Sequence, residues 1–460
     1  MKDYILTVGL EIHVELATET KMFCNSKNDT DEWHPNTNVC PVCLGYPGTL
    51  PTINKEAVRS VLRLGVALGG QIADYTEFNR KNYFYPDIPK GYQISQYKYP
   101  LVQGGMLNDV AITRVHLEED TAKSLHNESG HSLLDFNRAG IPLMELVTEP
   151  VIKTPADAAN FAREWQLLLR YLDISGANME KGEMRVEANV SVQRSDLKKD
   201  SGGSTLGTKV EIKNLNSFKV VEKAIKFEMA RQINALEKGE KVVQETRGWD
   251  ENKEETFSQR IKESAHDYRY FPDPDLPKLS IKDIPEFSEM ALRASLPELP
   301  RQKRERLSKL GISKEHMEIY VAQPEWGKLF EEVVDILKDK DLIKLVSNYI
   351  TSELKSLVSP VEFSEVIRMV TRGELSSKGA KGVLKVLAET GGETRKIAEE
   401  ENLMQENNRE ILEKIVEEVL EENKNAPVQF LVGQAMKKSG NRANPVILQE
   451  LLKGRKGDRG

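Results

Sequence analysis

The sequence predicts an α+β protein, with a large N-terminal domain built on an antiparallel or mixed β-sheet with helices, followed by an all-α part. Residues 1 to about 290 are rich in Gly, Pro, Asn and aromatic side chains, and apolar and polar positions alternate as in strands broken by turns. Beyond the proline-punctuated segment 295–300, Leu, Lys and Glu recur at helical spacing. We therefore predict three domains: a sheet domain at 1–293, a helical domain at 294–404 and a small helical tail at 405–460.

The charge of the chain changes sign within its C-terminal part. The run 397–422 is strongly acidic, whereas the end of the chain is basic. A basic module is typical of proteins that contact nucleic-acid phosphates, although a solvated helical surface with a frayed end has the same composition. The predicted nucleic-acid contacts are Lys437, Lys438, Arg442, Lys453 and Arg455.

Overall charge and hydropathy limit the classes of protein that fit. The net charge of −7 argues against a protein that coats nucleic acid indiscriminately, but it leaves room for local basic patches because charge acts over roughly 8–10 Å. No apolar run approaches the roughly 20 residues that span a bilayer, and the first residues do not resemble a signal peptide. We therefore expect a cytoplasmic protein without a membrane partner.

Four segments alternate charged and apolar side chains, which in a strand places the charged ones on one face. A single segment of this kind is explained by a strand with one face in water. Taken together, however, the four faces carry carboxylate, imidazole, Arg, Asn and Lys rather than the Thr, Ser and Gln of a plain wet surface. The polar-face residues are Glu11, His13 and Glu15 in 10–16; Arg114, His116 and Glu118 in 112–118; Arg185, Glu187, Asn189 and Ser191 in 184–192; and Lys209, Glu211 and Lys213 in 209–213.

If these four faces line one concavity, their carboxylates repel one another unless a cation lies among them. The four are Glu11, Glu118, Glu187 and Glu211. Carboxylate oxygens favour Mg²⁺, which also bridges to phosphate oxygens, and His13 is either a further ligand or a satisfied core histidine. Arg185, Lys209 and Lys213 would then neutralise a transferring phosphoryl group. The common nucleotide-binding motifs are absent from the sequence, so the cluster permits this chemistry without requiring it.

Two further features suggest sites. The aromatic, proline-containing segments 79–93 and 266–275 are each typical of a ligand-contacting loop or of a rigid packed loop. Cys40 and Cys43 have the spacing of half a zinc knuckle, and Cys24 supplies a third thiol. Ser26 stands where a fourth cysteine is expected, so either His34 completes a Cys₃His zinc site or the three thiols are simply buried.

Long segments of the chain resemble one family, the B subunits of aspartyl/glutamyl-tRNA amidotransferases. The resemblance extends nearly end to end. Its segments are GLEIHVEL (9–16), PNTNVCPVCLGYPGTLP (35–51), RKNYFYPDIPKGYQISQY (80–97), HLEEDTAK (116–123), DFNRAGIPLMELVTEP (135–150), MRVEANVSV (184–192), KVEIKNLNSF (209–218), DYRYFPDPDLP (267–277), ENLMQ (401–405), FLVGQAMK (430–437) and ANPVILQELL (443–452).

The resemblance implies a cradle domain that uses ATP and Mg²⁺ to phosphorylate the side-chain carboxylate of misacylated tRNA(Gln) or tRNA(Asn), a helical domain, and a YqeY-like tail that holds the tRNA. It further implies a heterotrimer with an amidase (A) subunit, which releases ammonia from glutamine, and a small C subunit. The complex would be a carbon–nitrogen ligase with glutamine as amide donor. By motif, the metal ligands are Glu11, His13, Glu118 and Glu211, together with Glu187, and the ammonia passage is lined by Lys81, Lys90 and Glu119. Ser26 departs from the four-cysteine pattern of many members and puts a structural zinc in doubt.

A non-catalytic scaffold that only docks the amidase on tRNA is the alternative function. The strand faces favour the enzyme, because a scaffold has no need to gather four mutually repelling carboxylates.

Overall fold

The computed structural model describes residues 4–126, 130–195, 206–261, 268–423 and 426–457. They form two compact units, Met1–Leu299 and Pro300–Gly460. The first unit contains a mixed sheet with helices and the second is helical, which confirms the predicted α+β class. The predicted domain boundaries at 293/294 and 404/405 stay predictions. Among the described helices, none has the length and apolar character that crossing a bilayer requires.

The strands of the first unit are β1 (Tyr4–Glu15), β2 (Gln71–Ile72), β3 (Tyr75–Thr76), β4 (Asn79–Asn82), β5 (Tyr92–Ser95), β6 (Val102–Gln103), β7 (Met106–Leu107), β8 (Val110–Glu119), β9 (Lys123–His126), β10 (Ser132–Asp135), β11 (Pro142–Thr148), β12 (Met184–Arg194), β13 (Val210–Leu215), β14 (Glu245–Asp250), β15 (Glu255–Ile261), β16 (Phe271–Pro272) and β17 (Leu279–Ser280). Its helices are α1 (Lys55–Ala67), α2 (Pro155–Tyr171), α3 (Phe218–Glu237) and α4 (Glu289–Ala294).

One large sheet organises the first unit. Its strand order, over the described residues, is β15-β14-β13-β12-β1-β11-β8-β5-β4-β16, and β2, β6 and β7 join beside β8. The pairs are antiparallel except for β13 and β14, which run parallel. The hairpin β9–β10 and the pair β3–β17 lie outside this sheet. The long central strands therefore hold their side chains in a fixed register.

Helices cover one face of the sheet and leave the other face free for polar side chains. Leu10, Ile12 and Val14 of β1 are buried in a core that also contains Val61 of α1 and Trp165 of α2. Burying each apolar side chain of this size stabilises the folded protein by about 1.5–3 kcal/mol. Because side chains alternate along a strand, the residues between these apolar positions point away from the helices.

Each covering helix begins at a side-chain cap, which satisfies otherwise unpaired backbone N–H groups. Asn54 accepts hydrogen bonds from the backbone N–H groups of the first turn of α1. Thr154 does the same for α2, which has Pro155 at its first position, and Ser217 does so for α3. These caps fix the residue at which each covering helix begins.

The second unit contains α5 (Pro300–Ser308), α6 (Lys314–Ala322), α7 (Pro324–Leu337), α8 (Ile343–Glu353), α9 (Pro360–Thr371), α10 (Ser377–Thr390), α11 (Thr394–Glu400), α12 (Arg409–Glu422), α13 (Val428–Lys438) and α14 (Pro445–Gly457). The last three helices share a small core of their own, which includes Leu412, Val416, Leu431, Leu448 and Leu452.

Candidate active site

The polar faces of the four predicted strands lie side by side on the face of the sheet opposite the helices. They belong to β1, β8, β12 and β13, and β11 lies between β1 and β8. His13 is paired in register with Glu145 on β11 and with Arg185 on β12. Glu211 on β13 is paired with Asn189 on β12. The charged side chains therefore form a row across neighbouring strands.

This row is the floor of a cavity of about 610 Å³. The cavity brings together all of the predicted magnesium ligands and all three predicted phosphoryl-contacting cations, and Lys81 lies in its wall. These residues are Glu11, His13, Glu118, Glu187, Glu211, Arg185, Lys209 and Lys213.

The carboxylates are arranged in two groups rather than around one point. In the first group, ligand atoms of His13, Glu118 and Glu145 all lie within 4.8 Å of one another. The Nε2 atom of His13 is 3.4 Å from Glu145 Oε2 and 3.7 Å from Glu118 Oε1. One imidazole and two carboxylates are a suitable donor set for a divalent cation.

Glu145 was not predicted as a site residue. It is the single charged residue of β11, whose other residues are mostly buried and apolar, so no alternation marks a polar face. Its position between β1 and β8 places it opposite both His13 and His116. The lone carboxylate inside an apolar strand is the signal that would have identified it, because such a group is rarely buried without a partner.

The second group consists of Glu11, Glu187 and Glu211, whose carboxylate oxygens also lie within 4.8 Å of one another. Neighbouring side chains hold these carboxylates in place. Asn189 Nδ2 donates to Glu11 Oε1 at 3.0 Å, and the buried Thr246 on β14 donates its hydroxyl to Glu211 Oε2 at 2.7 Å. An all-oxygen set of this kind suits Mg²⁺.

The electrostatics of both groups favour a bound cation. Burial raises the pKa of Glu11, and the charges of Glu145 and Glu187 raise it further. Burial opposes protonation of His13, but its hydrogen bond to Glu145 and the charges of Glu145 and Glu118 raise its pKa to about 9. Both shifts mean that negative charge is in excess here, and a cation would relieve that excess.

Lysine and arginine side chains border the acidic groups. Lys213 Nζ is 3.0 Å from Glu187 Oε2 and 3.7 Å from Glu211 Oε1. Arg185 donates from Nη2 to Asp120 Oδ2 at 2.9 Å, and Asp120, which we did not predict, lies where the main cavity meets a second, smaller one. These cations are therefore oriented by buried carboxylates while still lining the cavity.

The smaller cavity contains the other two predicted passage residues. Its volume of about 10 Å³ is close to that of one water-sized probe, and Lys90, Glu119, Cys43 and Gly140 are among its lining residues. Lys90 Nζ contacts Glu119 Oε2 at 2.5 Å. Glu119 Oε1 accepts from the backbone N–H of Ile94 at 2.9 Å. A charged pair therefore lies in the wall of a narrow space that is otherwise lined mainly by apolar surface and that adjoins the main cavity.

The three cysteines form one group, but the structure does not bring His34 to it. Sulfur atoms of Cys24, Cys40 and Cys43 lie within 4.8 Å of one another. The exposed ring of His34 instead bonds through Nδ1 to Glu32 at 3.0 Å and packs against Trp33. Of the two alternatives drawn from the sequence, the Cys₃His arrangement is therefore not formed, and the three thiols make a group without His34.

Ser26 and Lys21 complete the surroundings of this three-thiol group. Ser26 Oγ is 3.8 Å from Cys43 Sγ, and the fully buried Lys21 places its ammonium 3.9 Å from the same sulfur. The hydrogen bond from Cys24, together with backbone and Lys21 contacts, lowers the pKa of Cys43 although burial opposes this, and the same hydrogen bond raises the pKa of Cys24. A thiolate is the form of cysteine that ligates zinc, so the group is chemically suited to a metal.

The predicted nucleic-acid contacts of the tail are not equivalent. Lys438 Nζ lies 2.9 Å from Glu418 and 2.8 Å from Glu422 on α12. Arg455 is similarly paired with glutamates of α12, and its Nη2 lies 3.6 Å from Glu413. The other three predicted contacts, Lys437, Arg442 and Lys453, are exposed.

Comparison with known proteins shows which family the chain belongs to. A family model described as the GatB/GatE catalytic domain matches residues 6–285, and one described as a GatB domain matches residues 328–455. The chain is 41% identical to the B subunit of the aspartyl/glutamyl-tRNA(Asn/Gln) amidotransferase of Crocosphaera subtropica, covering 98% of this chain and 97% of that protein. Identity to the B subunits of the same name is 43% in Dehalococcoides mccartyi (98% and 99% covered) and 40% in Thermodesulfovibrio yellowstonii (98% and 98%). The chain belongs to this family of amidotransferase B subunits.

The segments matched by the two family models include both the main cavity and the basic tail residues. The residues that line the main cavity all lie inside the segment matched by the GatB/GatE catalytic domain. The basic residues of the tail lie inside the segment matched by the second family model. The predicted resemblance is thereby confirmed for both ends of the chain.

Replacing Thr246 with valine tests whether the second acidic group binds a cation in the arrangement described. The variant removes the hydroxyl that donates to Glu211 at 2.7 Å and keeps the size of the side chain. Because partners of this kind orient metal ligands, we expect Mn²⁺ affinity to fall by roughly 10- to 100-fold. Electron paramagnetic resonance of Mn²⁺ titrated into the full chain measures this directly.

The matched control is Thr113→Val, which removes a hydroxyl that donates to the exposed Glu149 at 2.7 Å outside the cavity. This variant should bind Mn²⁺ as the unaltered chain does. Equal affinities in the Thr246 and Thr113 variants would contradict the positioning role of Thr246.

Proposed function

We propose that this chain is the carboxylate-activating subunit of a tRNA-dependent amidotransferase. It would use ATP to phosphorylate the side-chain carboxylate of glutamate on tRNA(Gln), of aspartate on tRNA(Asn), or of both, before ammonia forms the amide. The observation that carries the proposal is the pair of acidic groups, bordered by Arg185 and two lysines, in a single cavity of the matched catalytic domain. In enzyme classification this is a carbon–nitrogen ligase with glutamine as amide donor.

The reaction needs activation because a carboxylate is a poor electrophile. In the first step a carboxylate oxygen forms a bond to the γ-phosphorus of ATP while the bond from that phosphorus to the bridging oxygen of ADP breaks. Ammonia then attacks the carbonyl carbon with its lone pair, phosphate departs with its bonding electrons, and nitrogen loses a proton. The acyl phosphate supplies the leaving group that the free carboxylate lacks.

The residues of the two acidic groups would hold magnesium. His13, Glu118 and Glu145 form one set of ligands and Glu11, Glu187 and Glu211 form the other. When bound, magnesium neutralises phosphate oxygens and fixes their position, which is the main requirement of phosphoryl transfer.

Three basic side chains would act on the transferring phosphoryl group. Lys213 and Arg185 are already oriented by carboxylates, and Lys209 precedes β13 at the edge of the cavity. Charges that are fixed before the reaction stabilise the transition state without reorganisation. Burial disfavours charge on Lys213, but Glu187 and Glu211 raise its pKa, so it is a cation at neutral pH.

Ammonia would arrive from a glutamine-hydrolysing amidase subunit, with a small C subunit completing a heterotrimer. Lys90 and Glu119 lie in the small cavity beside the site, and Lys81 lies in the wall of the main cavity. The small cavity, with a volume of about 10 Å³, has room for a molecule about the size of water, and the Lys90–Glu119 pair places charged groups beside it. We propose that the protein acts in the cytoplasm, where aminoacylated tRNA is supplied to protein synthesis. The three-thiol group is a candidate structural zinc site next to this passage.

We further propose that the tail binds tRNA, chiefly through Lys437, Arg442 and Lys453. Lys438 and Arg455 contribute less, because glutamates of α12 already neutralise them. Contacts between basic side chains and phosphates release counterions, so this binding depends on salt.

Substitution of either Glu11 or Glu211 by alanine tests the catalytic proposal. We expect ADP formation, with Glu-tRNA(Gln) and ATP supplied to the chain and its partner subunits, to fall at least about 100-fold because phosphate charge is no longer balanced. Affinity for tRNA should persist. Glu149→Ala, an exposed carboxylate outside the cavity, is the control. Unchanged ADP formation in both cavity variants would favour a scaffold that only docks the amidase.

Lys90→Met tests the passage. The variant breaks the pair with Glu119 and should lower amidation with glutamine at least about tenfold, because the charged pair that lines the proposed passage is lost. ADP formation should continue, and ammonium chloride should restore amidation. Lys27→Met, which breaks an exposed pair with Asp29, is the control. Equal loss with glutamine and with ammonium chloride would mean that Lys90 acts elsewhere.

Removal of tail charge is expected to change the salt dependence of tRNA binding. Alanine at Lys437, Arg442 and Lys453 should reduce the slope of log affinity against log salt by about one unit for each phosphate that is no longer neutralised by the tail. The double variant Lys438→Ala/Arg455→Ala removes charge that is already paired, so the change in slope for each residue removed should be smaller than in the triple variant. Filter binding over a salt series measures both, and an equal change in slope for each residue removed in the two variants would refute the difference between paired and unpaired residues.

A further inference from the structure

The two aromatic segments that stood out in the sequence lie together at the main cavity. Residues 266 and 267 of the second segment are outside the described residues. β4 pairs with β16, and Asn82 donates hydrogen bonds to the backbone carbonyls of Tyr268 and Arg269 at 3.2 and 2.8 Å. Both segments are therefore part of one wall. The lining tyrosines of this wall are Tyr83, Tyr97, Tyr268 and Tyr270.

Two of these tyrosines form a parallel stack. The ring centroids of Tyr97 and Tyr270 are 4.2 Å apart and their planes differ by 6°. Tyr270 thus covers one face of the Tyr97 ring, yet Tyr97 is still 62% exposed. This exposure leaves the other face of the Tyr97 ring open.

A cation lies in the same wall, beside Tyr268 and Tyr83. Lys81 Nζ is 5.1 Å from the centre of the Tyr268 ring and 5.6 Å from that of Tyr83. Lys81 also lines the main cavity, together with the acidic groups. A flat aromatic face beside a positive charge is the combination that binds a base and its phosphate in single-stranded nucleic acid.

We propose that the open face of Tyr97, supported from behind by Tyr270, stacks the unpaired terminal base at the acceptor end of the tRNA. This inference rests on the proposed function, because the aminoacyl group attached to that end must reach the acidic groups. The ring position at the cavity lining satisfies that requirement.

The large exposed fraction of Tyr97 favours the terminal base of tRNA over the adenine of ATP as its ligand. A small ligand is generally held in a concave pocket that covers 70–90% or more of its surface. Single-stranded RNA instead stacks its bases on open aromatic faces, and the rest of the molecule supplies the remaining contacts. A ring that is 62% exposed fits the second mode.

The test uses the full chain with its partner subunits and a tRNA(Gln) that carries 2-aminopurine at its 3′ terminus. Stacking quenches 2-aminopurine fluorescence, so binding is observed without turnover. We expect Tyr97→Ala to lose the quenching and to raise the KM for Glu-tRNA(Gln) by about 5- to 150-fold, the range that loss of one aromatic–base stack produces. The KM for ATP should stay unchanged.

Two matched variants separate stacking from general damage. Tyr97→Phe keeps the ring and should retain both quenching and KM. Tyr46→Ala removes a similarly exposed tyrosine, at 57%, that does not line the main cavity, and it should behave like the unaltered chain.

The outcomes are distinct. If Tyr97→Ala raised only the KM for ATP, Tyr97 would bind the adenine of ATP and the proposal would be overturned. Unchanged quenching in Tyr97→Ala would overturn it as well. Quenching that requires Tyr97, in a complex that never forms ADP, would uphold the stacking site and refute the proposed carboxylate activation.

Discussion

Repulsion among carboxylates gathered on one sheet face is the constraint on which the rest of the structure depends. Two acidic groups, each with ligand atoms within 4.8 Å, share one cavity, and burial together with the charges of Glu145 and Glu187 raises the pKa of Glu11. Antiparallel pairing keeps the strands in register, and the apolar side chains behind them are buried under helices. The free energy of burying that core offsets the cost of concentrating charge, which a bound cation would then lower further.

Strand alternation can predict only those site residues that lie on strands with a polar side chain at every second position. That pattern identified β1, β8, β12 and β13 because each has one face in the core and one in the cavity. It did not identify Glu145, because both faces of β11 are buried and a single charge has no periodicity. Thr246 and Asp120 were missed for a different reason: each is defined by its contact with a residue on another strand, and a sequence does not contain such contacts.

Charge composition predicted the basic character of the tail but could not separate its members. Lys438 and Arg455 are as basic as Lys437 in the sequence, but helices α12, α13 and α14 pack so that glutamates neutralise the first two. His34 shows the same limitation, because its distance along the chain from the cysteines is compatible with ligation while its partner is Glu32. Local pairing of this kind decides which charges remain available to a ligand.

The adjacent residues Glu118 and Glu119 show how strictly the register of β8 is set. Glu118 accepts from Ser95 at 3.2 Å and faces the main cavity, whereas Glu119 turns to the opposite side and meets Lys90. A slip of one residue would turn Glu118 away from the main cavity and turn Glu119 toward it, because side chains on a strand alternate between the two faces. Pairing of β8 with β5, β6, β7 and β11 prevents such a slip. Alternating side chains of the single strand β8 thus line both the main cavity and the small cavity. A change in the register of β8 would therefore alter both cavities together.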